Sequence, residues 1–104
     1  MSDRELDQQL VERAQRGEKR AFDLLVSKYQ RRLSRLLSRF IRDSADIEDV
    51  TQEAFVKAYA SLPLLTHNTN IRGWLFRITH NKAIDHFRRY SDEPLELLDE
   101  YPMT

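Results

Sequence analysis

The chemistry-bearing residues of this chain fall into charged rows at helical spacing, not into the tight clusters of a catalytic centre. Asp49, Gln52, Glu53 and Val56 follow an i, i+3, i+4, i+7 pattern, which lines acids, an amide and one apolar group along a single helix face. Such a row can receive ion pairs and hydrogen bonds from a basic partner. It equally describes an ordinary amphipathic helix with a solvated acidic side. Arg77, Asn81, Asp85 and Arg88 make a second row, with Lys82 and Arg89 beside it. Lys28, Arg31, Arg32, Arg35, Arg39 and Arg42 make a third, wholly cationic one. Arg and Lys suit phosphate oxygens and an Asn amide suits a base edge; a solvated face is the plain alternative.

Other chemistries lack the residues they need. There is no glycine-rich phosphate loop and no Ser-His-Asp or Cys-His arrangement. His80 and His86 are six positions apart, off the i, i+4 spacing that puts two ligands on one helix face. With no cysteine, disulfides and thiolate ligands are excluded. No catalytic residue, metal or cofactor is assigned, and the reading is of a non-enzyme.

The elements that must carry these rows are helical. A length of 104 residues fits one small domain, and 40% apolar with 10% aromatic residues supports a modest core. Two glycines and three prolines are too few for an all-β chain with its many turns. The expected fold is an all-α, compact bundle of about four helices. No apolar run approaches the roughly 20 residues of a membrane span, and Met1–Glu5 is charged, so a cytoplasmic protein is expected.

The zero formal charge conceals a polarity along the chain. All 17 Lys and Arg lie within residues 1–90, whereas Asp92, Glu93, Glu96, Asp99 and Glu100 sit in a tail with no cation. The body is therefore basic, which permits nucleic-acid contact without establishing it.

Periodicity predicts a first helix from about Asp3 to Arg16, with Ser2 and Glu5 as a capping box, Gly17 as the stop, and Leu6, Leu10, Val11 and Ala14 buried. A second runs from about Glu18 to Ile41, with Ala21, Leu24, Leu25, Tyr29, Leu33, Leu36, Leu37, Phe40 and Ile41 on its apolar side. Asp43 or Ser44 caps a third that ends near Leu62, just before Pro63. Ile47, Val50, Ala54 and Ala58 mark its apolar side, widened by Phe55, Tyr59 and Leu62. Residues 63–70 form the one substantial internal loop. Asn70 caps a fourth helix from about Ile71 to Tyr90, whose apolar face changes side midway. Residues 91–104, with Pro94 and Pro102, read as a linker.

Four blocks in this order carry a family resemblance: Leu10-Val11-Glu12-Arg13; Ala21-Phe22-Asp23-Leu24-Leu25-Val26 with Tyr29; Asp49 to Tyr59; and Trp74-Leu75-Phe76-Arg77-Ile78 with Asn81 and Ala83-Ile84-Asp85. Over about residues 5–90 the chain resembles region two of the extracytoplasmic-function (ECF) bacterial sigma factors. Up to about Tyr59 it is most similar to the envelope-stress and alginate sigma factors. From Ile71 it is more similar to other members of the group.

The resemblance implies transcription initiation: binding core RNA polymerase, then recognising and melting the minus-ten promoter element by capturing non-template-strand bases. It implies that Asp49, Gln52, Glu53 and Val56 contact the coiled-coil clamp helices of the β′ subunit. It implies a pocket for one flipped base in the loop, from Leu65, Thr66, His67, Asn68 and Thr69. Leu65 stands where close relatives carry an aromatic residue, so the base preference stays open. Trp74 matches the first tryptophan of the melting motif of housekeeping sigma factors, and Leu75 replaces the second. Trp74, Arg77, Asn81, Lys82, Arg88 and Arg89 are the implied DNA contacts, with packing in the core the other reading of Trp74. Family habit adds an anti-sigma factor as partner. It also makes residues 1–90 the region-two domain, with 91–104 starting an interdomain linker and the promoter-binding domain that follows in full-length members absent. Two other readings remain: a stand-alone helical DNA-binding regulator, and a protein-interaction domain with no DNA role.

Overall fold

A computed structural model describes residues 1–90. The order is α1 (Asp3–Gln15), α2 (Lys19–Leu37), α3 (Ser44–Ser61), a short 3-10 turn at Leu62–Leu64 and α4 (Ile71–Tyr90). Among the described residues there are no strands, and no helix is long and apolar enough to cross a membrane. The acidic linker expected over residues 91–104 lies outside the described residues.

Each boundary has a local cause. Ser2 accepts the Glu5 N–H at 3.1 Å and starts α1. At its other end Gly17 takes a φ of +100°. The Gly17 N–H reaches the Ala14 carbonyl and the Glu18 N–H the Arg13 carbonyl, both at 3.0 Å. This is the Schellman closure that favours glycine. Asp43 caps α3, accepting from the N–H groups of Ala45 at 2.8 Å and Asp46 at 3.3 Å. Asn70 opens α4 by accepting from the Gly73 N–H at 3.2 Å. The second helix stops at Leu37, short of the expected Ile41. There the backbone tightens, with Arg39 bonding back to Leu36 and Phe40 to Leu37, and the chain turns into the α3 cap. Apolar spacing alone could not reveal this turn, because Phe40 and Ile41 still pack on the core from within it.

Two apolar clusters sit one behind the other. The first gathers Val11, Phe22, Leu25, Tyr29, Leu33, Phe55, Leu62, Ile71 and Leu75, with Trp74, Phe76 and Ile78 against it. The second joins Leu37, Ile41, Val50 and Ala83, with Phe40, Ile47 and Phe87. The change of face midway along α4 follows from this division: its first half serves one cluster and its second half the other.

Cross-contacts fix the directions. Phe22 meets Tyr59 edge-on at 5.1 Å, and Ser34 lies 3.5 Å from Thr51, so α2 and α3 run antiparallel. Leu62 shares the first cluster with Ile71 and Leu75, while Val50 and Ile47 share the second with Ala83 and Phe87, so α3 and α4 do too.

Three apolar expectations are corrected. Leu6 and Leu24 are each 46% exposed. In α1 the buried place one turn before Val11 belongs to Asp7, 3% exposed, whose carboxylate receives the Tyr29 hydroxyl and the Lys28 ammonium. In α2 the buried place is taken by Phe22, and Leu24, two positions on, points outward. Tyr59 is 51% exposed, since only its ring edge packs on Phe22.

Candidate functional site

The acidic row of α3 is held outward by what lies beneath it. Val50, Ala54 and Ala58 are buried along the opposite side. Thr51, also buried, donates to the Ile47 carbonyl at 2.7 Å and meets Ser34 of α2. Asp49, Gln52 and Val56 are exposed, Val56 by 70%. Glu53 is half-buried because α4 leans over it: Arg89 donates to both its carboxylate oxygens, at 3.1 and 3.4 Å.

All four residues expected to meet the polymerase line a single groove of about 810 Å³ between α3 and α4. Its other wall carries Lys82, Asp85, His86, Arg88 and Arg89. Three of the expected DNA contacts, Lys82, Arg88 and Arg89, thus stand beside the acidic row and not beside the loop. The outer surface of α4 carries a different set. Trp74, Arg77 and Asn81 recur at spacings that return to one helix face. Arg77, Asn81 and Arg88 are exposed. Trp74 is half-buried, with part of its ring against the first cluster. Leu75 is 2% exposed and belongs wholly to the core.

The loop is shaped by α1. Gln15 donates through Nε2 to the carbonyls of Leu62 at 2.8 Å and Leu65 at 3.1 Å. The His67 Nδ1 donates to Glu12 at 2.9 Å, and Gln8 donates to the same carboxylate oxygen at 3.3 Å. These bonds, His67 first and Gln8 second, hold the Glu12 carboxyl below its ordinary range. Within the loop, the Thr69 hydroxyl accepts from the Thr66 N–H at 3.2 Å. Thr66, His67 and Asn68 are exposed, Thr69 is half-buried, and the Leu65 side chain turns inward against the first cluster. Leu65 therefore underpins the loop, while the residues after it offer the polar surface. Leu64, 82% exposed, projects from the 3-10 turn.

The polar network under α1 escaped sequence reasoning. Asp7, Lys28 and Tyr29 join α1 to α2. Burial, then the bond to Asp7, pushes the Tyr29 hydroxyl well above its ordinary value. Partial burial works against the Lys28 charge, but the carboxylates of Asp3 and Asp7 outweigh it and raise its pKa. One signal was available: Asp7 lies four before Val11 and seven before Ala14, on the buried stripe. The bracing glutamines had none, since polar residues on an exposed side read as solvated. Among the described residues there is no group of three or more metal-binding side chains.

Known proteins resemble this chain in sequence and fold. The family described as sigma-70 region 2 matches residues 25–93. The RNA polymerase sigma-H factor of Pseudomonas aeruginosa is 51% identical over 86 residues, covering 83% of this chain and 45% of that protein. The ECF RNA polymerase sigma-E factor of Escherichia coli K12 is 46% identical over 83 residues, covering 80% and 43%. The chain spans about half the length of the curated relatives it matches. A solved structure of an engineered region 2 of sigmaE in complex with GTAAAA superposes with a TM-score of 0.76 at 43% identity, covering 88% of this chain and 99% of that one.

Proposed function

Because the chain belongs to the sigma-70 region 2 family, we propose that it is the part of an ECF-type initiation factor that docks on core RNA polymerase and reads the minus-ten element. In this reading the exposed row Asp49, Gln52 and Val56, with Glu53 at its edge, meets the coiled-coil clamp helices of β′. Acid and amide groups facing a basic surface give register and specificity. The loop residues Thr66, His67, Asn68 and Thr69 receive an unpaired base, which can be read on its exposed edge. Trp74, Arg77 and Asn81 follow the strand along α4, the aromatic ring by stacking and Arg77 by its charge. Such a domain works where the polymerase works, in the cytoplasm.

The observation that carries the reading is the division of surface. A loop braced by α1 and the outward residues at the start of α4 lie next to each other in the chain, while the acidic row lines the groove between α3 and the C-terminal half of α4. One domain can then hold an enzyme and a strand at once. The likeness to a region 2 solved with the oligonucleotide GTAAAA supports the DNA half.

The test is binding to a β′ clamp-helix fragment. Asp49→Arg is expected to weaken it at least tenfold, about 1.4 kcal/mol, with an unchanged helical circular-dichroism spectrum. Unaltered affinity in this exposed charge reversal would sink the docking assignment. For DNA, exchange of residues 65–69 should change the preferred base in a single-stranded minus-ten hexamer while leaving clamp binding as it was.

A further inference from the structure

A second cleft, of about 290 Å³, opens between the start of α1, the middle of α2 and the start of α4, beside the end of the loop. Asp3, Arg4, Tyr29, Asn70 and Arg72 are among the residues that line it. Arg4 and Arg72 are the cations on its walls, and two more from α2 stand beside it around Tyr29. The Lys28 ammonium lies 5.3 Å and the Arg32 guanidinium 5.5 Å from the centre of the Tyr29 ring, so both gather about one buried aromatic. Arg72 is laid over Phe76, 5.4 Å from its ring centre. Arg32 and Arg72 are both exposed.

An anion already sits where these charges converge. The Asp3 carboxylate, 64% exposed, is gripped by Lys28 at 2.5 Å. The Lys28 hydrogen bond, with the charges of Lys28, Arg32 and Arg72 behind it, holds that carboxyl below its ordinary range. Asp7 is a different kind of acid: it is buried and bonded to the Tyr29 hydroxyl and Lys28. Asp3 is the replaceable one, at the first position of a helix whose cap is made by Ser2.

We propose that this cleft is a phosphate seat for the DNA strand, with Arg72 on its wall and Lys28 and Arg32 beside it supplying the charge, and with the Asp3 carboxylate as its occupant in the free domain. A phosphate carries the same oxygen acceptors with equal or greater charge, and the arginine forks match it in two directions. It needs no base contact, so it adds affinity and register but no sequence preference. The seat lies against Asn70, where the loop gives way to α4. A strand whose base is held by residues 66–69 is thereby fixed on its backbone at the next step. The inference rests on the DNA reading above and extends it to residues outside the outer row of α4.

The test measures binding of a single-stranded minus-ten hexamer to the whole domain across salt, between about 50 and 200 mM, where the slope counts phosphates. The double variant Arg32→Gln with Arg72→Gln is expected to lower the magnitude of the log–log slope by about 0.7, the contribution of one phosphate on a single strand. Asp3→Asn should tighten binding several-fold at low salt by vacating the seat. Arg31→Gln with Arg35→Gln is the control: both lie two residues from buried Leu33, hence on the far side of α2, and the slope should hold. An unchanged slope in the Arg32 and Arg72 pair, an equal fall in the control pair, or weaker binding in Asp3→Asn overturns the seat. Hexamer binding by the unaltered domain keeps the DNA reading standing in each of those cases. If the unaltered domain does not bind the hexamer at all, both fall together. Melting temperatures within a degree or two of the parent certify that each variant is folded.

Discussion

At the scale of single residues, Asp7 decides more than any other acid. It is the buried carboxylate that both Tyr29 and Lys28 require. Replacing it with Ala strands a hydroxyl in the core and is expected to destabilise the domain by about 2 kcal/mol, measured by urea denaturation. Tyr29→Phe removes the stranded group, so the Asp7→Ala, Tyr29→Phe pair should lose less than the two single losses added together. The exposed acids behave differently. Asp3 and Glu12 both titrate below their ordinary values in the fold. Their contribution is therefore complete above the ordinary carboxylate range and is lost as pH falls through the lowered values. A melting temperature that is flat from about pH 7 to 5 and then drops below about pH 4 is expected, with a shallower drop in Glu12→Gln. The sequence disclosed the acidic row of α3 because its spacing is regular. It hid Asp7 and Gln15 because their importance lies in partners on other elements. It also misjudged Leu6, one position from buried Asp7, and Leu24, two from buried Phe22, since each step along a helix turns a side chain by about 100°.

At the scale of elements, the ends of the helices were legible and the lengths less so. Ser2, Gly17, Asp43 and Asn70 each sit where a cap or stop needs that residue type, and the structure uses all four. The overrun expected of α2 came from Phe40 and Ile41, which remain core residues after the helix has ended. Gly17 offers a clean measurement. A Cβ there would meet nothing within 4 Å, so the only penalty of Gly17→Ala is backbone strain at φ +100°. A loss of about 1 kcal/mol is expected from this source alone, visible in thermal melting without any change in clamp or DNA binding. Gln15→Ala tests the opposite case. It removes two hydrogen bonds to loop carbonyls. Faster hydrogen exchange across residues 65–70 is expected, with little change in the global unfolding energy. Protection that stays unchanged would mean that the loop keeps its shape without α1.

At the scale of the whole molecule, the two large surfaces are not electrically independent. Glu53 belongs to the acidic row yet accepts from Arg89 of α4. Glu53→Arg therefore also breaks the ion pair across the groove, whereas Asp49→Arg leaves that pair in place. The expectation is that Glu53→Arg alters the salt dependence of DNA binding as well as clamp affinity, while Asp49→Arg alters clamp affinity alone; titrations with each partner separately distinguish them. Exposed pairs of this kind contribute little to stability, on the order of 0–1 kcal/mol, so these variants should melt like the parent. The fold class and the four-helix order were accessible from periodicity, but the sharing of the groove was not. It depends on α3 and α4 running antiparallel, which no linear spacing records.

The tethers from α1 to the loop bear on when entropy is lost. Fixing the backbone of one residue costs roughly 1–2 kcal/mol, and residues 65–69 include several that would otherwise wander. Gln15, Glu12 and Gln8 settle that loss during folding, before any strand arrives. Under the proposed reading, capture of a base would then start from a shaped receptor and spend little of its binding energy on ordering. The corollary concerns engineering. A loop moved into a relative without its α1 partners would carry its letters but not its posture, and would bind more weakly for that reason alone. A transplant of residues 62–70 together with Gln8, Glu12 and Gln15 is the smallest unit expected to keep both.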